Sequence, residues 1–184
     1  VFLVIGVLLS TSCKEYTPKP RGYLRIDLPT PDYSVLPLKE YPYSFNISSL
    51  ATIELPPTKE YQYWVNIFYP SLHAKIYCSY FTIKPSTLDV AMEESRELVL
   101  RQAKQIQSIE EKTFENSVES VYAKLFLLDG ESASPIQFTI TDSTNNFFRG
   151  ALYYETKMNV DSIAPVMKYI EADIEELIQS FSWN

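Results

Sequence analysis

The sequence predicts an α+β fold, an antiparallel β-sheet packed by two main helices. Three observations carry that expectation. Fourteen Tyr and ten Phe stand against only four Gly in 184 residues, and aromatics suit a pleated, half-buried surface. Several short segments alternate apolar and polar residues and are punctuated by turn dipeptides. Two longer segments carry apolar stripes at helical spacing. With 46% hydrophobic residues the chain can fill a core, which excludes disorder throughout.

The elements follow in order. Val1 to Leu9 is an uncharged apolar run followed by Ser10, Thr11, Ser12 and Cys13. It is too short to cross a bilayer, which takes about 20 helical residues. It matches the apolar region of a secretory signal read from inside the signal peptide. Small residues before a cysteine are what a bacterial lipoprotein signal looks like, with Cys13 as the lipidation site. The position usually held by Leu is Ser10, and Leu9 lies one place further back. Residues 14–42 are rich in proline and read as an extended tether and edge segment, with Tyr23 to Leu28 as a short alternating strand. A single α+β domain is expected over 43–184.

Within it, Tyr43–Ser48 and Ala51–Leu55 read as two short strands, and Tyr61–Tyr69 as an aromatic strand ended by Pro70. His73–Ile83 alternates, with Ile76, Cys78 and Tyr80 on one face and Lys75, Tyr77, Ser79 and Phe81 on the other. Ser86 to Asp89 resembles a capping box. From it a helix is expected to run to Ile109 on the face Leu88, Met92, Ser95, Val99, Gln102, Ile106 and Ile109. Val118–Leu128 reads as a strand ended by the turn dipeptide Asp129-Gly130. Ser134–Thr141 returns, Asp142–Asn146 turns, and Phe147–Glu155 forms the last strand. A final helix from about Asp161 tolerates Pro165 in its first turn. It buries Ile163, Val166, Ile170, Ile174, Leu177 and Phe181, and its end must dock. By analogy alone this order suggests a Mog1/PsbP-like arrangement, which would not set function.

Composition excludes several functions. A net charge of −7 argues against a phosphate backbone as partner. One His and two Cys leave almost nothing for a zinc site or a Cys/His relay. His73 would be the only imidazole for a hydrolase and reads as a surface residue at a strand start. Asp89, Glu93, Glu94 and Glu97 read as a solvated face rather than metal ligands, and Asp89 suits a helix N-terminus. Cys78, in an apolar strand pattern, reads as an inert core thiol. Neither a cofactor, a metal, an enzymatic activity nor a small-molecule substrate is expected.

Two segments are denser than a bland domain requires. One holds Arg21, Tyr23 and Arg25; the other runs from Thr141 to Tyr153. In the second, Asp142 is expected to cap the turn, Asn145 to tolerate left-handed geometry, and Arg149 to point off a strand beside Gly150. Arg149 then either pairs with Asp142 across the hairpin or belongs to a protein-recognition patch, where Arg and Tyr are enriched. Arg21, Tyr23, Arg25, Asp142, Asn145 and Arg149 are the candidate partner-binding residues. The aromatics Tyr61, Tyr63, Trp64, Phe68 and Tyr69 support an alternative, a periplasmic glycan-binding module, against the plainer reading that they are core.

With Cys13, these segments carry a resemblance. The chain resembles the GldD family of gliding-motility lipoproteins of the Bacteroidota along its whole length. The most specific parts are Tyr16-Thr17-Pro18-Lys19-Pro20-Arg21-Gly22-Tyr23, Arg25-Ile26-Asp27-Leu28-Pro29, Ser134 through Tyr153, and Asp161-Ser162-Ile163-Ala164-Pro165-Val166. The resemblance implies an envelope lipoprotein needed for surface gliding and the linked type 9 secretion machinery. It implies a component and not an enzyme, so no catalytic residues come with it, and only Cys13 maps, as the lipid site. The expected role is a scaffold or stabilising partner of other gliding and secretion lipoproteins, with the membrane reached through lipid on Cys13. Lys14-Glu15 partly resembles a surface-export signal that Tyr16 interrupts, so the periplasmic side of the outer membrane is expected.

Overall fold

The computed structural model describes residues 28–155 and 160–184. Cys13, the expected lipid site, and Arg21, Tyr23 and Arg25 lie outside the described residues. The fold is α+β, as predicted. Seven antiparallel strands are Thr52–Glu54 (β4), Val65–Tyr69 (β5), Ala74–Thr82 (β6), Ala103–Asn116 (β7), Val121–Ser132 (β8), Ile136–Thr141 (β9) and Asn146–Tyr154 (β10). Their order across the sheet is β4-β5-β6-β10-β9-β8-β7, so β10 sits at the centre between β6 and β9. Helix α1 (Leu88–Gln102) and helix α2 (Val160–Gln179) complete the frame. Short strands β1 (Tyr33–Val35) and β3 (Asn46–Ser48) pair with each other, and β2 (Tyr43–Ser44) pairs with β11 (Ser182–Trp183).

Side-chain alternation divides the sheet into two faces. One face (Ile76, Cys78, Leu125, Phe138, Ile140, Phe148, Leu152) meets Val166, Ile170, Ile174 and Leu177 of α2 in the main core. The stripe read from the sequence is therefore the buried one. Tyr43, Phe45, Phe148 and Phe181 form an aromatic centre there, with Tyr43–Phe148 ring centroids 4.7 Å apart and Phe148–Phe181 5.4 Å. The chain end docks as expected: Asn184 N–H donates to the Pro42 carbonyl at 3.0 Å. Cys78 is a free, fully buried thiol, and burial pushes its pKa up.

The opposite face meets α1. Ala91 packs with Ile83 and Phe147, and Val99 packs with Phe126 and Leu128. The helix is shorter than expected, ending at Gln102, and the chain passes directly into β7. Ile106 and Ile109 are strand residues, not part of a helical stripe. No Gly or Pro marks this change, because the reason is tertiary: β8 offers a long row of backbone groups, and β7 pairs along it from Val121 to Ser132. Asp129-Gly130 is accordingly not a turn. The strand runs through it, and Gly130, at φ 113°, lies where β7 slips register between Ile106 and Ser108. Reversal into β9 waits for the residues before Ile136. The β7–β8 hairpin turns at Ser117–Ser120, where the Asn116 side-chain oxygen accepts from the Val118 and Glu119 N–H groups, both at 3.2 Å. Val118 is therefore an exposed tip, not a strand start. Ahead of α1, the Thr87 hydroxyl and the Lys84 backbone organise the entry turn rather than Ser86. Pro165 is the sixth residue of α2, beyond its first turn.

The proline-rich segment docks where it is described. Leu36 is buried, its N–H donates to the Phe45 carbonyl at 2.8 Å, and β1 pairs Tyr33 to Ser48. Tyr33 also donates its hydroxyl to Asp173 on α2 at 2.9 Å. Burial raises the Asp173 pKa, a rise opposed by the hydroxyls of Tyr33, Ser48 and Tyr69. Leu36 thus joins the domain's core, and Leu38 and Tyr41 pack against it.

Candidate partner-binding face

The Asp142–Asn146 loop is built by one carboxylate. Asp142 Oδ1 accepts from the N–H groups of Thr144, Asn145 and Asn146 at 2.8–2.9 Å, and Oδ2 accepts from the Asn146 amide at 2.7 Å. Asn145 turns its carbonyl to the Ile83 N–H at 2.8 Å. The left-handed residue is Ser143, at φ 63°, and not Asn145. Burial works against the Asp142 charge, but the donated bonds from Asn146, Thr144 and Asn145 outweigh it and hold the pKa below the usual carboxylate range. Asp142 and Asn145 therefore serve the loop.

A depressed pKa gives a stabilisation that is full above the unfolded aspartate value, about 3.9, and is lost as pH falls through the folded one. Asp142→Ala is expected to cost about 1–2 kcal/mol at neutral pH, in the range of other capping carboxylates. The melting point should fall by roughly 2–8 °C. The gap from wild type should close in acid, which thermal melts across the acid range check.

Arg149 does not pair with Asp142. Its strand β10 carries it three residues past the loop, onto the face that meets α1 with Phe147, Ala151 and Tyr153. Strand registers set the neighbours: Ser79, Arg149, Thr139 and Lys124 form one cross-strand row, and Tyr77, Ala151, Gln137 and Phe126 the next. Lys75 and Tyr153 lie opposite each other beyond them. Arg149 makes no hydrogen bond or ion pair among the described residues, whereas Lys124 pairs with Glu111 at 2.6 Å and Lys75 with Glu54 at 2.9 Å. Burial lowers the Arg149 pKa, while Tyr153 and Glu94 of α1 favour its charge.

The ground beside this guanidinium is aromatic. Tyr77 and Tyr153 meet edge-on with ring centroids 5.6 Å apart, and Tyr77 is 50% exposed. Lys75 Nζ lies 4.7 Å from the Phe68 ring centroid. Ser79, Thr139 and Gln137 are buried alongside. The alternation of β6 marked Lys75, Tyr77 and Ser79 as one face. What no pattern marked was Tyr153 as the partner of Tyr77, which depends on the β6–β10 register. A guanidinium fork with no ion pair among the described residues, beside the exposed Tyr77, can take a carboxylate bidentately and cover an apolar group beside it.

The expected aromatic strand is divided. Tyr61 ends a short 3-10 turn (Lys59–Tyr61), Tyr63 adopts φ 67°, and the strand begins only at Val65. Tyr69 is core, and the Trp64 indole N–H donates to the Tyr80 carbonyl at 2.9 Å. These side chains form no single stacking platform. His73 caps a turn in left-handed geometry, exposed, with Nδ1 3.6 Å from Glu155. Among the described residues, no helix is long and apolar enough to cross a membrane, and no three His, Cys, Asp or Glu side chains group as metal ligands.

Compared with known proteins, the chain matches the family described as gliding motility lipoprotein GldD over residues 13–183, a match that begins at Cys13. No curated protein matches it.

Proposed function

The chain belongs to the gliding motility lipoprotein GldD family, and on that premise we propose that it is a lipid-anchored, non-catalytic scaffold of the cell envelope. Lipid on Cys13 holds it at the periplasmic side of the outer membrane. There it binds and stabilises another lipoprotein of the gliding machinery and of the linked type 9 secretion machinery. Confinement to one membrane surface raises its effective concentration for partners on that surface.

The observation that supports a partner is Arg149. A protein of net charge −7 carries a half-buried guanidinium on its central strand that pairs with no carboxylate among the described residues, Glu94 favouring its charge without an ion pair. Partial burial without a partner costs stability, and a docking carboxylate removes that cost. The partner's contact is then an acidic side chain beside an apolar one, the second seated on Tyr77 and Tyr153.

Arg149→Met tests this, because it keeps most of the packing volume and removes the charge together with its N–H donors. The variant is expected to fold with equal or greater stability and to lose gliding. Recovery of partner lipoproteins on affinity purification should fall about 30-fold or more, the scale of a hot-spot residue. Normal gliding with normal recovery would refute the assignment of Arg149.

A further inference from the structure

A second feature lies apart from Arg149 and does not rest on it. Between the segment entering β2 and the loop joining β4 to β5 is a cleft of about 340 Å³ lined by Glu40, Tyr41, Thr58, Tyr61, Gln62 and Tyr63. That volume falls in the range of small-ligand sites. We propose that this cleft binds a neutral hexopyranose unit of a glycan.

Four observations support it. Tyr61 packs at a tilt against Trp64, with centroids 4.5 Å apart, and remains 40% exposed, which leaves aromatic surface for the apolar face of a sugar ring. Tyr63 holds φ 67°, a conformation costly for an aromatic residue. It is fixed there by the Tyr43 hydroxyl on its carbonyl at 2.5 Å, and by the T-shaped contact of its ring with Tyr41 at 5.5 Å. Such fixing sets the wall before a ligand arrives. The side chains of Glu40, Thr58 and Gln62 make no hydrogen bond among the described residues. Finally, the Glu40 carboxylate accepts only, so the ligand must bring donors.

That last point separates the candidates. A proline-rich peptide also suits aromatic clefts, but proline carries no N–H and gives Glu40 nothing. The one indole N–H of the loop, on Trp64, is already committed to Tyr80. Vicinal sugar hydroxyls supply both donors and acceptors to Glu40, Thr58 and Gln62. A phosphorylated or uronic sugar would face the Glu40 charge, so the ring is neutral.

The test uses full-length acylated protein in a non-glycosidic detergent, observed by saturation-transfer NMR. The probes are cellobiose, chitobiose, maltose and mannobiose, with hexaproline as the rival. Saturable transfer to at least one disaccharide is expected, with Kd in the millimolar range, ~1 mM corresponding to a weak single site. Affinity should weaken tenfold or more in both Tyr61→Ala and Glu40→Gln. Both positions are exposed, and melting curves check that the fold is kept. Transfer to no disaccharide, transfer unchanged in both variants, or transfer to hexaproline alone would each overturn the proposal.

Discussion

Gly150→Ala is expected to be the most damaging small substitution in the domain. Gly150 sits on the central strand β10, directly opposite Phe138 of β9. A Cβ there would clash with the outer end of the Phe138 ring, overlapping its Cζ and Cε1 and lying 3.0 Å from Cε2. The ring has nowhere to go, because Phe138 is fully buried and packs 6.2 Å from the Phe148 ring in the aromatic centre. The bare glycine backbone is what lets the ring approach the strand this closely, an aromatic cover over a strand glycine. Overpacking of this kind costs about 3 kcal/mol or more, a large share of the roughly 5–15 kcal/mol that holds a domain together. The melting point should fall by at least about 6 °C. Phe138→Ala alone opens a cavity and costs about 3–5 kcal/mol. The double variant should cost clearly less than the sum, because the new methyl enters the space the ring left. Thermal melts of the two single variants and the double check this, and strict additivity would contradict it.

Cys13→Ala is expected to have the largest effect on localisation while leaving the folded domain unchanged. Each buried methylene contributes about 0.8 kcal/mol, so one acyl chain binds a membrane marginally and two or three bind it durably. Without the thiol no diacylglycerol is attached. Palmitate labelling should vanish, the mature domain should leave the membrane fraction, and gliding should stop. The melting transition should be unaltered, since the main core described above is assembled from residues between Leu36 and Phe181. Gliding sustained by a form that carries no label would contradict the role of the anchor.

The two faces of the sheet were legible to different degrees. Alternation along β6 and the stripe on α2 identified the buried face correctly, since both patterns record burial directly. The end of α1 was not legible. From Val99 to Lys112 no Gly or Pro interrupts the chain, and the strand there exists because β8 supplies a partner. Asp129-Gly130 misleads for a related reason: the same left-handed freedom that serves a turn serves a bulge inside a long hairpin. Asp142 was legible as a loop cap, since its chemistry is local. The fate of Arg149 was not, because pairing across the hairpin and isolation on the opposite face fit the same residues. Only the registers of β6, β9 and β10 separate them. The aromatic run Tyr61–Tyr69 reads as one strand until the left-handed Tyr63 breaks it, and a left-handed tyrosine has no sequence signal.

The central claim is that this anchored domain engages a protein partner through the sheet face around Arg149. Site-specific photo-crosslinking in living cells tests it most directly, with a photoreactive residue at Tyr77 in the full-length lipoprotein and a control at Lys168 of α2, on the far side of the sheet. Adducts with a gliding or secretion lipoprotein are expected from position 77, none from 168, and they should be lost when Arg149→Met is added. No adduct at 77, or adducts from both positions that Arg149→Met does not change, would contradict it.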